Sequence, residues 1–128
     1  MDLSPPLNYV QIHISLAPLA EAELLRCQQS ISVPVVQVEC RPLAVKGLYM
    51  LALDLQLEGT RASAHWKVDR IAAEIWWALG RFTRLSILLQ DMDTDEEPHW
   101  LILDEGYYRQ TMQAFRFAHR STTPPPEH

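Results

Sequence analysis

The chain predicts an α+β fold: an antiparallel sheet with helices packed on one of its faces. Three observations predict it. Three segments alternate apolar and polar residues with a period of two, two longer segments repeat apolar residues at helical spacing, and strand-like and helix-like segments interleave along the chain.

Asn8 to Leu16 puts Val10, Ile12, Ile14 and Leu16 on one side and Tyr9, Gln11, His13 and Ser15 on the other, the pattern of a half-buried strand. Pro18 suits a first helical turn, where its missing N–H is not needed, and Glu21 and Glu23 suit the positive end of a helix dipole. Leu19 to Gln29 contains no breaker, so a short helix is expected there. Alternation returns from Val33 to Arg41, with Val36, Val38 and Cys40 opposite Gln37, Glu39 and Arg41. Pro34 and Pro42 mark this strand as an edge, because proline cannot donate to a ladder.

A five-residue connection containing Gly47 leads to Leu48–Leu57, where Leu51, Leu53, Leu55 and Leu57 share a face, and the two strands read as a hairpin. Gly59 breaks the chain. Ala62 to Leu79 carries the strongest helical pattern and is closed by Gly80, where a left-handed residue is needed. Leu85–Gln90 and His99–Leu103 read as two strands joined by a polar turn. Gly106 then interrupts, and Tyr107–His119 has helical spacing with Tyr108, Met112 and Phe115 on one stripe.

The first six elements run strand, helix, strand, strand, helix, strand, which is the split βαβ, ferredoxin-like arrangement, with an extra C-terminal strand and helix added. In that arrangement the third strand lies between the first and second, and one sheet face stays open. Residues 1–120 are expected as a single domain, and 121–128, with three consecutive prolines, as a disordered tail.

The 128 residues are 48% apolar and 21% charged, enough for a core without disulfides or a structural metal. No apolar run approaches the roughly 20 residues of a membrane span, and the acidic, proline-bearing start is unlike a signal peptide. Cys27 and Cys40 form neither a CxxC nor a cysteine-dense framework, so a reducing, cytoplasmic setting is expected. Asp91, Asp93, Asp95, Glu96 and Glu97 together carry a charge equal to the whole net −5, and the rest of the chain balances. The two lysines and nine arginines do not cluster, which disfavours nucleic acid as a partner. There is no phosphate-binding glycine loop, no zinc spacing among the histidines and no GxSxG, so no cofactor and no metal are expected.

Three surfaces remain as candidates. On the second helix Ala64, Val68, Ile71, Ala72, Ile75 and Leu79 make the stripe that faces the sheet. Trp66, Arg70, Ala73 and Trp77 fall on the opposite side, with Trp76 between the two. Tryptophan and arginine there fit an interaction surface, unless the terminal helix or Ser4–Leu7 covers them. The acidic run departs from a calcium loop, with Glu96 where glycine belongs and Ile102 where a bidentate glutamate belongs. It fits a solvated hairpin tip, or a contact for a basic partner. The open sheet face displays His13, Glu39, Arg41 and Asp54, among which His13 with Asp54 or Glu39 would make an acid–base pair. The function expected is therefore a small protein-interaction or assembly module, as a homo-oligomer or as an accessory factor or subunit of a larger complex. The alternative is a small-ligand-binding domain or cofactor-free enzyme on the polar sheet face.

Overall fold

The computed structural model describes residues 9–59, 61–92 and 97–122, with the side chains of 61–63 and 117–122 left aside. The elements are β1 (Tyr9–Ala20), α1 (Glu21–Ser30), β2 (Val35–Pro42), β3 (Leu48–Glu58), α2 (Arg61–Leu79), β4 (Leu85–Asp91), β5 (His99–Leu103) and α3 (Glu105–Thr122). The strands form one sheet in the order β2-β3-β1-β4-β5, and each neighbouring pair is antiparallel. The α+β architecture follows from the alternation: Val10, Ile12, Ile14 and Leu16 of β1 lie in register with Leu57, Leu55, Leu53 and Leu51 of β3. The latter three β1 residues also face Leu89, Ile87 and Leu85 of β4. All of these are buried, and the helices lie over them. α1 packs on β1 and β3, α2 on β4, and α3 on β5 and the flank of α2.

Several boundaries differ from the sequence expectation, each for a local reason. β1 does not stop at Leu16. A register shift lets Leu19 and Ala20 pair with Tyr49 and Leu48, and Leu19 is fully buried, so Pro18, after a cis peptide bond, belongs to the strand rather than to a helix. α1 accordingly begins at Glu21, where the Glu23 carboxylate accepts the Ala20 N–H at 2.9 Å. Gly106 does not interrupt but lies inside α3. The helix is started by Asp104, whose side chain accepts the Tyr107 N–H at 2.9 Å, and it runs on to Thr122. Residues 123–128, like Ser4–Leu7, lie outside the described residues. α2 ends as expected at Gly80, whose φ of 70° places it in the left-handed region while its N–H reaches the Trp76 carbonyl at 2.9 Å.

Two side chains fasten the helices to the turn after α2. Trp76 is fully buried. Its indole N–H donates to the Thr83 carbonyl at 2.8 Å, and its ring meets Tyr108 of α3 edge-on at 5.1 Å and Phe82 at 6.2 Å. Arg81 donates to both Glu23 carboxylate oxygens at 2.9 and 3.0 Å, to the Pro18 carbonyl at 2.8 Å and to the Thr83 hydroxyl at 2.9 Å. It thereby ties the end of β1, the start of α1 and the α2–β4 turn together. The Arg81 hydrogen bonds hold the Glu23 carboxyl below its ordinary range and raise the guanidinium in return. In the same first turn of α3, the Tyr107 hydroxyl donates to Asp69 of α2, and burial followed by that carboxylate raises the phenol.

Truncating Trp76→Ala removes the largest buried side chain and leaves the Thr83 carbonyl unpaired, so a loss of about 3–5 kcal/mol in urea unfolding is expected. The clamp has a defined pH window. A carboxyl that titrates lower folded than unfolded contributes stability above the unfolded value of about 4.3, and loses it as pH falls through the folded value. Glu23→Gln should therefore be less stable than the parent at pH 7 and nearly level with it near the acid limit, as read from unfolding midpoints at the two pH values.

Candidate functional site

The open sheet face is ordered in rows by the register. One row crosses all five strands: Gln37, Asp54, His13, Leu88 and Trp100. The next is Glu39, Ala52, Ser15, Ser86 and Ile102. Within the first row the His13 Nδ1 and Asp54 Oδ1 atoms are 2.7 Å apart, both side chains partly exposed. Asp54 is thus the carboxylate partner of His13, held there because β1 and β3 place the two residues directly opposite each other. Glu39 is engaged elsewhere: the Arg41 Nε donates to it at 2.7 Å. The four residues picked out on this face form two separate pairs, not one constellation.

Two shallow depressions mark the face. One, of about 330 Å³, is lined by Gln11, His13, Asp54, Leu88, Gln90 and Trp100. The other, of about 360 Å³, lies over Ser15, Ala17, Met50, Arg84 and Ser86. An imidazole oriented by a carboxylate can hold or pass a proton, and a tryptophan flank can stack a planar group. Trp100 is 60% exposed, and the sequence alone does not give its face, because β5 is too short for its alternation to choose a side. Its place opposite Leu88 is what puts it on the open face.

On α2 the outer face carries the two expected tryptophans, Trp66 at 61% and Trp77 at 53% exposure. Lys67 Nζ stands 5.5 Å over the Trp66 ring, and Phe115 of α3 flanks Trp77 at 5.7 Å without covering it. Arg70 reaches Glu74 at 3.4 Å, and Glu74 in turn accepts from the Ser32 N–H and hydroxyl, each at 2.8 Å. Ala73 departs from the expectation, being 1% exposed. Its helical neighbours Asp69, Trp76 and Trp77 all touch α3, so α3 lies over it and narrows the outer face to Trp66, Arg70 and Trp77.

Of the acidic run, Asp91 closes β4 and Glu97 precedes β5, while Asp93, Asp95 and Glu96 lie outside the described residues. His65 and His99 come ring to ring at 5.7 Å, edge to face, which joins the start of α2 to β5. Among the described residues no group of three or more potential metal ligands occurs. No described helix is long and apolar enough to cross a membrane. Burial, then the nearby Glu23 charge, pushes the Cys27 thiol up to about 11, whereas Cys40 stands exposed on β2.

No family model matches the chain, and no curated protein does. Among solved structures, a phage SAM lyase in complex with S-methyl-5'-thioadenosine is similar to it at a TM-score of 0.37 and 12% identity, over 79% of this chain and 93% of that one. A likeness so distant does not bear on what this chain does.

The two thiols should separate cleanly in reactivity. In dilute native protein at pH 8, iodoacetamide should modify Cys40 and spare Cys27, whose thiolate is depleted by its raised pKa and whose sulfur is buried. Cys27 should label only after unfolding, and mass spectrometry of the peptides reads the difference.

Proposed function

We propose that this chain is a small cytoplasmic protein-interaction or assembly module of ferredoxin-like architecture, working as a homo-oligomer or as a subunit or accessory factor of a larger complex. The order β2-β3-β1-β4 with both crossovers helical supports the architecture, and β5 and α3 extend it. One observation carries the function: Trp66 and Trp77 stand more than half exposed on α2, eleven residues or about 16 Å apart along the helix axis, with Arg70 between them. Tryptophan and arginine are the side chains on which protein interfaces concentrate their energy, and large aromatics held in water on a rigid helix are costly unless a partner covers them. The acidic residues Asp91, Asp93, Asp95, Glu96 and Glu97 offer a second contact for a basic partner surface. Nucleic acid is not a partner in this reading, since the arginines do not cluster.

A second reading is kept for one observation, the His13–Asp54 pair beside Trp100 in a depression of about 330 Å³. Its size and mixed lining fit a small planar ligand, and its acid–base pair fits proton transfer. Glu39 and Arg41 lie outside that depression.

The two readings separate in a capture experiment from cells that express the protein. A specifically bound protein should be lost from Trp66→Ala and Trp77→Ala, each weakening binding by tenfold or more, and kept by Trp100→Ala, with all three variants folded by circular dichroism. Capture indifferent to Trp66 and Trp77 would remove the interaction reading. Asp54→Asn, which leaves the outer face of α2 untouched, serves as the control on the sheet face.

A further inference from the structure

β2 is left bare by the helix layer: every residue after Val35 is exposed, Val38 and Cys40 on the helix side as well as Gln37, Glu39 and Arg41 on the open side. Its backbone direction follows from the hairpin. The Leu43 N–H donates to the Leu48 carbonyl at 2.8 Å, so in the continuous register from Gln37↔Asp54 to Pro42↔Tyr49 the odd-numbered residues turn their N–H and C=O groups toward β3. Val38, Cys40 and Pro42 turn theirs outward. Pro42, which has no N–H, thus occupies a position where the ladder to β3 asks for none. The register shift between Val35 and Gln37 ends the free edge on one side, and the Pro42 ring ends it on the other.

We propose that a second copy of this chain pairs antiparallel along this edge, about a twofold axis at Cys40. Charge selects the register. An axis at Glu39 would set two carboxylates face to face, and an axis at Val38 would leave Glu39 opposite Gln37. An axis at Cys40 sets Glu39 of each copy opposite Arg41 of the other. Those two residues hold the positions where opposing side chains come closest, about 4.5 Å between Cα atoms, so the Glu39–Arg41 ion pair of one chain, at 2.7 Å, opens into a ring of alternating charges. In the same register the outward N–H of Cys40 meets the Cys40 carbonyl of the second copy, and that of Val38 meets the Pro42 carbonyl. On the helix side Val38 packs against the Pro42 ring. The contact is isologous, so it closes on a dimer and does not propagate. β5, the opposite edge, spans His99–Leu103 and contains no such pair of opposite charges.

This inference uses no residue of α2 and does not rest on the tryptophan surface, so the two fail separately. Sedimentation velocity over a concentration series tests it. The parent protein should be a dimer, while Glu39→Arg and Arg41→Glu, each of which puts like charges opposite one another, should raise the dissociation constant at least tenfold and sediment as monomers. An equimolar mixture of these two variants should sediment as a dimer again, because each copy supplies the charge the other lacks, and the double exchange E39R/R41E should dimerise alone. Oxidation should cross-link the parent through Cys40 and not Cys40→Ser, since facing residues of this kind lie about 5.5 Å apart, within disulfide range. A parent monomeric at its highest soluble concentration, single variants that still dimerise, a mixture that stays monomeric, or a dimer lost in Trp66→Ala or Trp77→Ala would each overturn the proposal.

Discussion

Everything in this molecule is arranged around a sheet whose three inner strands are continuously apolar on one side only. β1, β3 and β4 commit their even or odd positions in concert, so Ile12, Ile14, Leu53, Leu55, Ile87 and Leu89 all meet on one surface and His13, Ser15, Asp54 and Ser86 all meet on the other. A one-residue slip of β1 would exchange its two sets, burying His13 and Ser15 and wetting Ile12 and Ile14. The helices have a single place to go as a result, and the molecule acquires three kinds of surface: a plate that is mostly polar over β2, β3 and β1 and carries Leu88, Trp100 and Ile102 toward β5, a helical roof, and two edges of unequal protection.

The roof is fixed at its corner more than along its length. Trp76 supplies apolar area, a hydrogen bond and two ring contacts at one point, and Arg81 gathers the ends of three segments through donors aimed at carboxylate, carbonyl and hydroxyl oxygens. Among the described residues no buried side-chain polar atom lacks a partner, so this corner carries no unpaired polar group.

Where period-two alternation ran for several residues, as in β1 and β3, the sequence was a sound guide to strand, face and neighbour, because alternation is the direct image of a one-sided sheet. The side of α2 that bears Trp66 and Trp77 was legible for the same reason at helical period. Pro18 was misleading because proline fits a first helical turn and a strand beside a register shift about equally well, and the buried Leu19 decided between them. Ala73 lies on the outer side by periodicity yet is buried, because periodicity gives a direction on a helix but says nothing of a third helix laid across it. Gly106 reads as a breaker by composition, but Asp104, two residues before it, caps the helix that contains it. His13 and Asp54 were legible as residues, and their partnership needed the register. Trp100 needed it more, since five residues of strand hold too little pattern to choose a face.

The sheet order carries a consequence for how the chain is made. β1, near the start of the chain, is the central strand, and its two neighbours are β3 and β4. During synthesis it leaves the ribosome with neither flank available: Leu16 waits for Leu51 and then for Leu85, and Val10 waits for Leu57 and Asp91. Until β4 emerges the nascent chain presents the apolar face of β1 with an open ladder, and the β2–β3 hairpin, whose partners are adjacent in sequence, is the first piece of sheet able to form. The strand that organises the finished molecule must wait for β4 before both its sides are satisfied, which makes the interval before β4 appears a period when this protein has particular need of shelter.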